Sequence, residues 1–258
     1  MVKIKGIIKR AVKEYHYFNL KDWSYQDAGK FWDSVHHYDE IDDETYAYKR
    51  RFIDSIKLTD IKDKSKVLDI DCRTGNGTVF FSKYGKVKEA ICVSPSNNFL
   101  NICKGRIKKY KIKAKTMLLK KVPLDLKDNS FDLILCFETM EHISKKDHLK
   151  FLKEMNRLLK KNGKMIITMP NILWEPIHWF AAIFGMHHSE GPHRFLTLKK
   201  IKKLLKKSGF QIKKEKSTVI IPVGPRVLTR FGEILEKSIG QKIMPTIGLR
   251  HILICRKK

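Results

Sequence analysis

Between residues 67 and 169, short apolar runs alternate with segments of helical periodicity. The apolar runs are Val67–Ile70, Ala90–Val93, Lys115–Leu119, Phe131–Phe137 and Met165–Met169. The segments between them predict helices over Thr78–Tyr84, Asn97–Lys109 and Lys146–Lys160, the last ended by Asn162-Gly163. Strands that alternate with helices over short connections form parallel sheets with both faces covered. We therefore expect an α/β fold with a twisted, mostly parallel sheet and helices on both faces.

The segments around this core define the expected organisation of the chain. Residues 1–60 are predicted to form an N-terminal helical cap, and residues 61–258 the main domain. Within that domain, residues 171–194 form an apolar insertion after the last parallel strand. The closing apolar run, Leu249–Cys255, is predicted to pair antiparallel with Gln211–Ile221 at the C-terminal edge of the sheet.

Composition excludes several classes of protein. Of the 258 residues, 42% are hydrophobic, which is enough for a sizeable core and too much for a disordered chain. No run of apolar residues is long enough to cross a bilayer, and no secretory signal pattern opens the sequence. The cysteines are scattered without a CxxC pair, which favours reduced core residues in a cytoplasmic protein; they are Cys72, Cys92, Cys103, Cys136 and Cys255.

The chain is strongly basic, with 54 Lys and Arg residues against 27 Asp and Glu residues and a formal net charge of +27. One interpretation is a polyanionic partner, either nucleic acid or an anionic membrane surface. The other is a general lysine bias, because Lys occurs on nearly every exposed face. Composition leaves both interpretations open.

An amphipathic helix is predicted over residues 1–20. Its apolar stripe consists of Ile4, Ile7, Ile8, Ala11, Val12 and Tyr15, and its basic residues fall off that stripe. Such a helix either lies on an anionic membrane or caps its own domain. A second amphipathic helix is predicted near the end of the chain, with apolar positions at Val227, Leu228, Phe231, Ile234, Leu235 and Ile239.

The insertion at residues 171–194 is the most apolar and aromatic surface candidate. Its aromatic side chains include Trp174, Trp179, Phe180 and Phe184. Three arrangements are consistent with this composition: a lid over an apolar substrate, a membrane-dipping element, or a helix packed on the N-terminal segment.

The first predicted strand runs directly into a turn that contains glycine. Val67–Ile70 is followed by Asp71-Cys72-Arg73-Thr74-Gly75-Asn76-Gly77 and then by a helix. A strand, a glycine turn and a helix N-terminus together let the backbone approach a ligand closely at the carboxyl edge of a sheet. The turn is therefore the first candidate for a binding site.

Val67–Gly77 resembles motif I of class I S-adenosylmethionine-dependent methyltransferases, usually V-L-D-[IV]-G-x-G-x-G. Further motifs follow in the order of that family, in its ubiquinone, menaquinone and sterol-type branch. They are Asp128–Ile134, Glu141-His142-Ile143, Leu158–Met165, His193–Thr197 and Ser208-Gly209-Phe210. The resemblance covers residues 45–215 and implies a Rossmann-like class I methyltransferase fold.

The resemblance implies S-adenosylmethionine as cofactor and a small or lipid-like methyl acceptor. The residues that it places at the cofactor are Asp69, Asp71, Gly75, Gly77, Ser94, Pro95, Val122 and Phe137. Asp69 would face the methionine end of the cofactor, or alternatively form the turn. His142 is the candidate catalytic residue, as general base or substrate contact, with packing under the sheet edge as the alternative.

The sequence departs from the family pattern at three positions. Asp71 and Arg73 stand where motif I has glycine, and their side chains either narrow the pocket or pair with each other. Ser94 stands where the family has an acidic residue that binds both ribose hydroxyls. These departures keep a second hypothesis open, a non-catalytic binding or partner protein of the same fold.

Two further functions rank lower on the sequence. RNA methyltransferases that modify base amino groups carry [DNS]PP[YFW] after strand four, whereas this chain has Phe137-Glu138-Thr139-Met140. A zinc site at His187, His188 and His193 has no accompanying cysteine and no common spacing, so no metal is expected. Glu138 and Glu141 are expected to be solvated or helix-capping. The oligomeric state is not predicted.

Overall fold

A computed structural model describes residues 2–35, 45–186 and 188–258. Its seven strands are β1 (Ser65–Ile70), β2 (Val87–Ser94), β3 (Ala114–Leu118), β4 (Phe131–Phe137), β5 (Leu159–Pro170), β6 (Phe210–Thr218) and β7 (Arg250–Lys257). They form one sheet in the order β3-β2-β1-β4-β5-β7-β6. Neighbours from β3 to β5 are parallel, and β7 is antiparallel to both β5 and β6. This confirms the predicted fold class.

The described helices surround the sheet, and three of them precede its first strand. They are α1 (Val2–Asn19), α2 (Tyr25–Asp33), α3 (Tyr46–Leu58), α4 (Asn76–Lys83), α5 (Asn97–Lys109), α6 (His148–Leu158), α7 (Glu175–Phe184), α8 (Leu198–Lys207), α9 (Arg226–Ile239) and α10 (Met244–Ile247). Two short 3₁₀ helices, Met140–His142 and Ile172–Trp174, follow β4 and β5.

Alternate residues of β1 face opposite layers of helices, as the strand period of two requires. Leu68 and Ile70 pack in a core with residues of α6 and α8. Val67 packs in a second core with residues of α3, α4 and α5. Both faces of the parallel sheet are therefore buried, which explains why its strands are apolar throughout.

One edge of the sheet collects the ends of many elements. Because β1, β2, β4 and β5 are parallel, their carboxyl ends lie together at this edge. Arg250 at the start of β7 is opposite both Pro170 of β5 and Thr218 of β6. The connections after β5 and β6 therefore also leave the sheet here. We call this the carboxyl edge.

The end of α6 differs from the sequence prediction. The helix was predicted to extend to Lys160 and to stop at Asn162-Gly163, but it ends at Leu158. Leu159 is fully buried and pairs with Phe131, and the register shifts before β4 resumes its pairing with Lys164. This pairing draws the chain into β5 four residues before the glycine, which therefore lies inside the strand.

The N-terminal helix is confirmed, but its apolar stripe is not covered. Ile4, Ile8, Val12 and Tyr15 are exposed. The helix instead packs on α7 through another side, where Arg10 Nε donates to the carbonyl oxygen of Ile183 at 2.7 Å. The packed-helix arrangement for the insertion is thus present in part, with apolar faces left exposed on both helices. Among the described residues, no helix is long and apolar enough to cross a membrane.

Candidate functional site

The turn after β1 has a left-handed backbone at three alternate positions. The φ angles are 56° at Asp71, 48° at Arg73 and 85° at Gly75. A Cβ atom on Gly75 would lie 2.6 Å from the Sγ atom of Cys103, so glycine is required there by space as well as by conformation. A left-handed conformation costs an L-residue about 1–2 kcal/mol, so Asp71 and Arg73 keep the glycine-type backbone at a cost in stability.

The carboxylate of Asp69 joins β1 to the start of α4. It accepts hydrogen bonds from Thr78 N at 3.0 Å and Thr78 Oγ1 at 2.7 Å. Burial raises the pKa of Asp69 to about 8, although both hydrogen bonds act in the opposite direction. A Cβ atom on Gly77 would lie 3.1 Å from this carboxylate and 3.4 Å from the ring of Phe137. Asp69, Gly77 and Phe137 are therefore packed together directly beneath the turn.

A buried polar cluster lies at the carboxyl edge above this turn. Nε2 of His142 is 3.2 Å from Nη2 of Arg73 and 3.5 Å from Oε2 of Glu190. Glu190 comes from the insertion, and its Oε2 is 3.8 Å from the Arg73 guanidinium. Asp71 and Glu141 are also buried beside these charges. We call these residues the edge cluster: Asp71, Arg73, Glu141, His142 and Glu190.

Burial dominates the titration of the two acids Asp71 and Glu141 in the edge cluster. It raises the pKa of Asp71 and raises that of Glu141 to about 7, against the lowering effect of the neighbouring His142 charge. Burial alone would lower the pKa of His142, but the hydrogen bond to Glu190 and the charge of Glu141 raise it overall. Oε2 of Glu141 is buried and has no hydrogen-bond partner among the described residues. The cluster therefore holds acids that are poorly compensated as carboxylates.

Glu138 has a structural role next to the cluster. Its carboxylate pairs with Nη1 of Arg51 at 2.7 Å and with Nε of Arg250 at 2.5 Å. Burial would raise the pKa of Glu138, but the two guanidiniums outweigh it and lower the pKa to about 2. Neither Glu138, directly after β4, nor Glu141, in the 3₁₀ helix, is solvated as one expectation had it, because both side chains are turned inward.

Helix α2 covers the end of β2, where the sequence placed Ser94 and Pro95. Ser94 is fully buried, and a Cβ atom on Gly29 of α2 would lie only 2.2 Å from the carbonyl oxygen of Pro95. Asp33 accepts hydrogen bonds from Ser96 Oγ at 2.6 Å and Asn98 N at 3.0 Å. Helix α2 is therefore fixed across the N-terminus of α5.

Trp32 extends from α2 into the edge cluster. Its ring lies 5.3 Å from the guanidinium carbon of Arg73 and 5.5 Å from the ring of His142. The insertion closes from the other side, since a Cβ atom on Gly191 would lie 2.4 Å from the ring of Phe31. The polar edge is thus enclosed by α2 and by the segment after α7.

Val122 follows the end of β3, where Leu119 N donates to the carbonyl oxygen of Ser94 at 2.9 Å. It packs in the core that contains Leu68 and Ile134, and it lines a surface cleft of about 520 Å³ against α6. The turn residues, Ser94, Pro95, Phe137 and His142 lie at the carboxyl edge, and Val122 lies in the loop that follows the end of the parallel strand β3.

Sequence reasoning missed the approach of three cysteines. The Sγ atoms of Cys72, Cys92 and Cys103 lie within 4.8 Å of one another, and all three residues are buried. Burial raises the pKa of Cys72, whereas hydrogen bonds from its two neighbours lower that of Cys103 to about 5. Clustered thiolates are ligands that soft metal ions prefer. The three residues come from the turn after β1, from β2 and from α5, so their spacing in the sequence gave no signal.

The cysteine group is the only set of three or more potential metal ligands found within the described residues. Of the histidines considered for zinc, His187 lies outside those residues. His188 Nε2 is 3.6 Å from Glu190 Oε1, and the ring of His193 is 6.2 Å from that of His142. His188 and His193 therefore adjoin the edge cluster without forming a described metal site.

Comparison with known proteins places these features in a family. A family model described as a methyltransferase domain matches residues 38–215. An uncharacterised protein of Methanocaldococcus jannaschii is 32% identical over 117 residues, which cover 45% of this chain and 47% of that protein. A demethylmenaquinone methyltransferase of Bacillus cereus is 27% identical over 115 residues, covering 44% and 48% of the two chains. The chain spans about half the length of the curated relatives it matches.

Solved structures share the fold at low sequence identity. A crystal structure of a protein from Pyrococcus horikoshii aligns with a TM-score of 0.60 and 16% identity, covering 89% of this chain and 99% of that one. At this identity the likeness establishes the architecture alone.

Proposed function

Because this chain belongs to the methyltransferase-domain family, we propose that it transfers the methyl group of S-adenosylmethionine to a small, apolar or lipid-like acceptor. The observation that carries the proposal is the edge cluster, which joins the left-handed turn after β1 to His142 after β4. In open α/β sheets, ligands bind at the carboxyl ends of the strands, where the cluster lies.

The buried carboxyls at the carboxyl edge suit a cationic ligand, because a nearby cation would favour their ionised form. Carboxyls outnumber guanidiniums there: the acids are Asp69, Asp71, Glu138, Glu141 and Glu190, and the guanidiniums belong to Arg51, Arg73 and Arg250. Glu141 in addition keeps a buried oxygen without a described partner. A sulfonium or ammonium group would supply the missing positive charge, and S-adenosylmethionine carries both. The residues present therefore fit this cofactor.

The turn and the end of β2 would hold the two halves of the cofactor. The backbone at Gly75 permits close approach, and the carboxylate of Asp71 would face the methionine ammonium. Ser94 and Pro95 would lie at the ribose, where the Ser94 hydroxyl offers one hydrogen bond. Helix α2 and Trp32 would have to move outward for the cofactor to enter. When bound, the cofactor supplies a methyl group that is already electrophilic.

His142 is the residue best placed to remove a proton from the acceptor. Its Nε2 atom accepts a hydrogen bond from Arg73 when neutral and donates to Glu190 when protonated. Glu190 thus stabilises the imidazolium that proton removal would produce, while Trp23 Nε1 holds the backbone by donating to the His142 carbonyl at 2.7 Å. These contacts support a general base that gains a proton inside a buried site.

The acceptor class rests on the surroundings of the cluster. The insertion that contributes Glu190 also carries half-buried Trp179 and exposed Phe180 and Phe184. These side chains support an apolar acceptor that approaches from the insertion side. An assay of labelled methyl transfer from S-adenosylmethionine to a panel of phenolic, quinol and lipid acceptors tests the proposal. The position of the label in the product identifies the acceptor atom. Loss of transfer in His142→Gln with cofactor affinity retained is the expected result.

One observation favours a second candidate, a non-catalytic binding protein of the same fold. Trp32 and Arg73 together occupy the carboxyl edge where the cofactor is proposed to bind. If they stay there, the cofactor is excluded and the protein binds neither S-adenosylmethionine nor S-adenosylhomocysteine. Calorimetric titration separates the two candidates. An RNA substrate has the net charge of +27 as its only support.

A further inference from the structure

Exposed apolar side chains are concentrated around the carboxyl edge. Nineteen large apolar residues are exposed in the described part of the chain, and only Tyr84 and Tyr110 lie elsewhere. The other seventeen belong to four segments, α1, α7 with its flanks, α9 with its flank, and α10 with its flank. We call them the apolar rim: Ile4, Ile8, Val12, Tyr15, Phe18, Leu173, Ile177, Phe180, Phe184, Met186, Val223, Val227, Leu228, Phe231, Ile234, Ile243 and Ile247.

Helix α1 has three distinct faces around its axis. At 100° per residue, Ile4, Ile8, Val12, Tyr15 and Phe18 fall on one side. Ile7, Arg10 and Glu14 fall on the side that is covered by the protein, and Lys5, Lys9 and Lys13 form an exposed stripe beside the apolar one. An apolar stripe bordered on one side by lysines, with the third face docked on the protein, is typical of a helix that lies in a membrane interface.

Helix α9 repeats this arrangement independently. Its covered side carries Thr229, Gly232 and Glu236, and Glu236 is held by Arg50 Nη2 at 2.9 Å. Its exposed apolar side carries Val227, Leu228, Phe231 and Ile234, with Val227 82% exposed. The exposed basic residues Arg226, Arg230 and Lys237 lie along the border of that apolar side.

Direct contacts connect the helices of the rim. Helix α1 packs on α7, where Arg10 bonds to the carbonyl of Ile183. The indole of Trp174, which precedes α7, donates to the carbonyl of Ile247 in α10 at 3.0 Å. Met244 N in turn donates to the carbonyl of Gly240 at the end of α9. The four segments therefore follow one another around a single edge of the molecule.

The charge around the rim is of one sign. In α1, α7 and residues 226–247, the exposed charged residues are all basic: Lys5, Lys9, Lys13, Arg226, Arg230, Lys237 and Lys242. The acids of the same segments, Glu14, Glu175, Glu233 and Glu236, are buried or half-buried. We propose that the apolar rim docks the protein on an anionic lipid bilayer, with its apolar side chains among the acyl chains and its basic stripes at the headgroups.

The charges argue against the other occupants of an apolar face. A second copy of this chain would bring an equally basic rim, so that like charges would face each other. Nucleic acid would satisfy the lysines but leave the large aliphatic side chains in water. Of these three occupants, only an anionic bilayer offers an apolar interior for the apolar sides of α1 and α9 and anionic headgroups for the basic residues beside them.

Docking would also orient the candidate site. The insertion that contributes Glu190 to the edge cluster carries five residues of the rim, Leu173, Ile177, Phe180, Phe184 and Met186. The docked protein would hold its carboxyl edge towards the bilayer. The inference does not depend on methyl transfer, since docking requires neither the cofactor nor His142.

Co-sedimentation with vesicles tests the proposal without cofactor. The probe is a set of vesicles of phosphatidylglycerol and phosphatidylcholine, with pure phosphatidylcholine for comparison. We expect partition to the anionic vesicles that weakens at least tenfold between 50 and 500 mM salt. The pairs Ile8→Asp with Val12→Asp on α1 and Val227→Asp with Phe231→Asp on α9 should each reduce partition at least tenfold.

The matched control is the pair Tyr84→Asp with Tyr110→Asp, which adds the same charge at the two exposed apolar residues outside the rim. It should leave partition within twofold of the wild type. If the control and the rim variants lost partition equally, the effect would be explained by the change in net charge, and the proposal would be overturned. Absence of partition would also overturn it, as would a dimer in light scattering that the rim substitutions disperse.

Discussion

Nη2 of Arg73 lies 3.2 Å from Nε2 of His142, so a polar contact joins the turn after β1 to the 3₁₀ helix after β4. Glu190 lies on the other side of the same nitrogen at 3.5 Å. A neutral imidazole accepts from Arg73, and an imidazolium donates to Glu190. The proton state of His142 therefore decides which of the two it binds.

This relationship predicts how methyl transfer depends on pH. His142 acts as a base only when neutral, and its pKa is raised, so transfer should fall as pH drops through a value above 6.5. His142→Gln should lower kcat by about 100-fold or more and remove this limb of the profile. His16→Gln, on the exposed side of α1, is the control and should keep both the wild-type kcat and the acidic limb of the pH profile. Retention of the limb in His142→Gln would assign the proton transfer elsewhere.

Arg73→Gly should tighten cofactor binding about tenfold. The substitution removes a cation and a long side chain from the place proposed for a cationic ligand. Lys111→Gly is the control, because Lys111 has a similar φ of 52° but lies exposed before β3, at the opposite edge of the sheet. It should relieve the same backbone strain and leave affinity unchanged by calorimetry. Weaker binding in Arg73→Gly would make the guanidinium a cofactor contact.

Gly29→Ala tests the close packing of α2 on the end of β2. The added Cβ would lie 2.2 Å from the carbonyl oxygen of Pro95, so we expect the free energy of unfolding to fall by about 1–3 kcal/mol. Gly105→Ala, also in a helix but with open space around it, should gain up to about 1 kcal/mol. Urea denaturation of both variants measures the difference. Equal stability of the two would show that α2 sits further from Pro95.

Glu141 should make the protein less stable at higher pH. Its pKa in the folded state is raised to about 7, so its contribution is fully present below pH 4 and is lost as pH rises through 7. We expect this loss to reach up to about 3 kcal/mol between pH 4 and pH 8. Glu141→Gln should remove that part of the pH dependence in urea denaturation. The control Glu89→Gln, at a surface carboxylate between Lys66 and Lys113, should leave the pH dependence of stability unchanged. If Glu141→Gln also left that pH dependence unchanged, the prediction would be contradicted.

The fold could be predicted because its signals are local. Alternating apolar runs and helical segments follow the strand and helix periods, and the left-handed turn shows in Gly75. The end of α6 at Leu158 could not be predicted from the sequence, because it depends on the pairing of Leu159 with Phe131 across the sheet. Periodicity within a helix does not contain that information.

The sequence predicted only some of the residues of the candidate site. Asp71 and His142 follow strand ends and carry motif-like neighbours, so the sequence placed both at one edge. Glu190 and Trp32 come from segments far away in the sequence, and only tertiary packing brings them to Arg73. The exposure of the α1 stripe was equally hidden, since an amphipathic pattern shows which residues share a face but not what covers it.

The most direct test of the central claim is calorimetric titration of the wild-type protein with S-adenosylmethionine and S-adenosylhomocysteine at pH 6 and pH 8. If the edge cluster binds the cofactor, both ligands bind with one site per chain. The affinity for the sulfonium ligand should then rise with pH relative to the neutral thioether, because Glu141, whose pKa is raised to about 7, ionises over this range. Absence of binding by either ligand at millimolar concentration, in the wild type and in Arg73→Gly, would contradict the account and leave a non-catalytic protein of this fold.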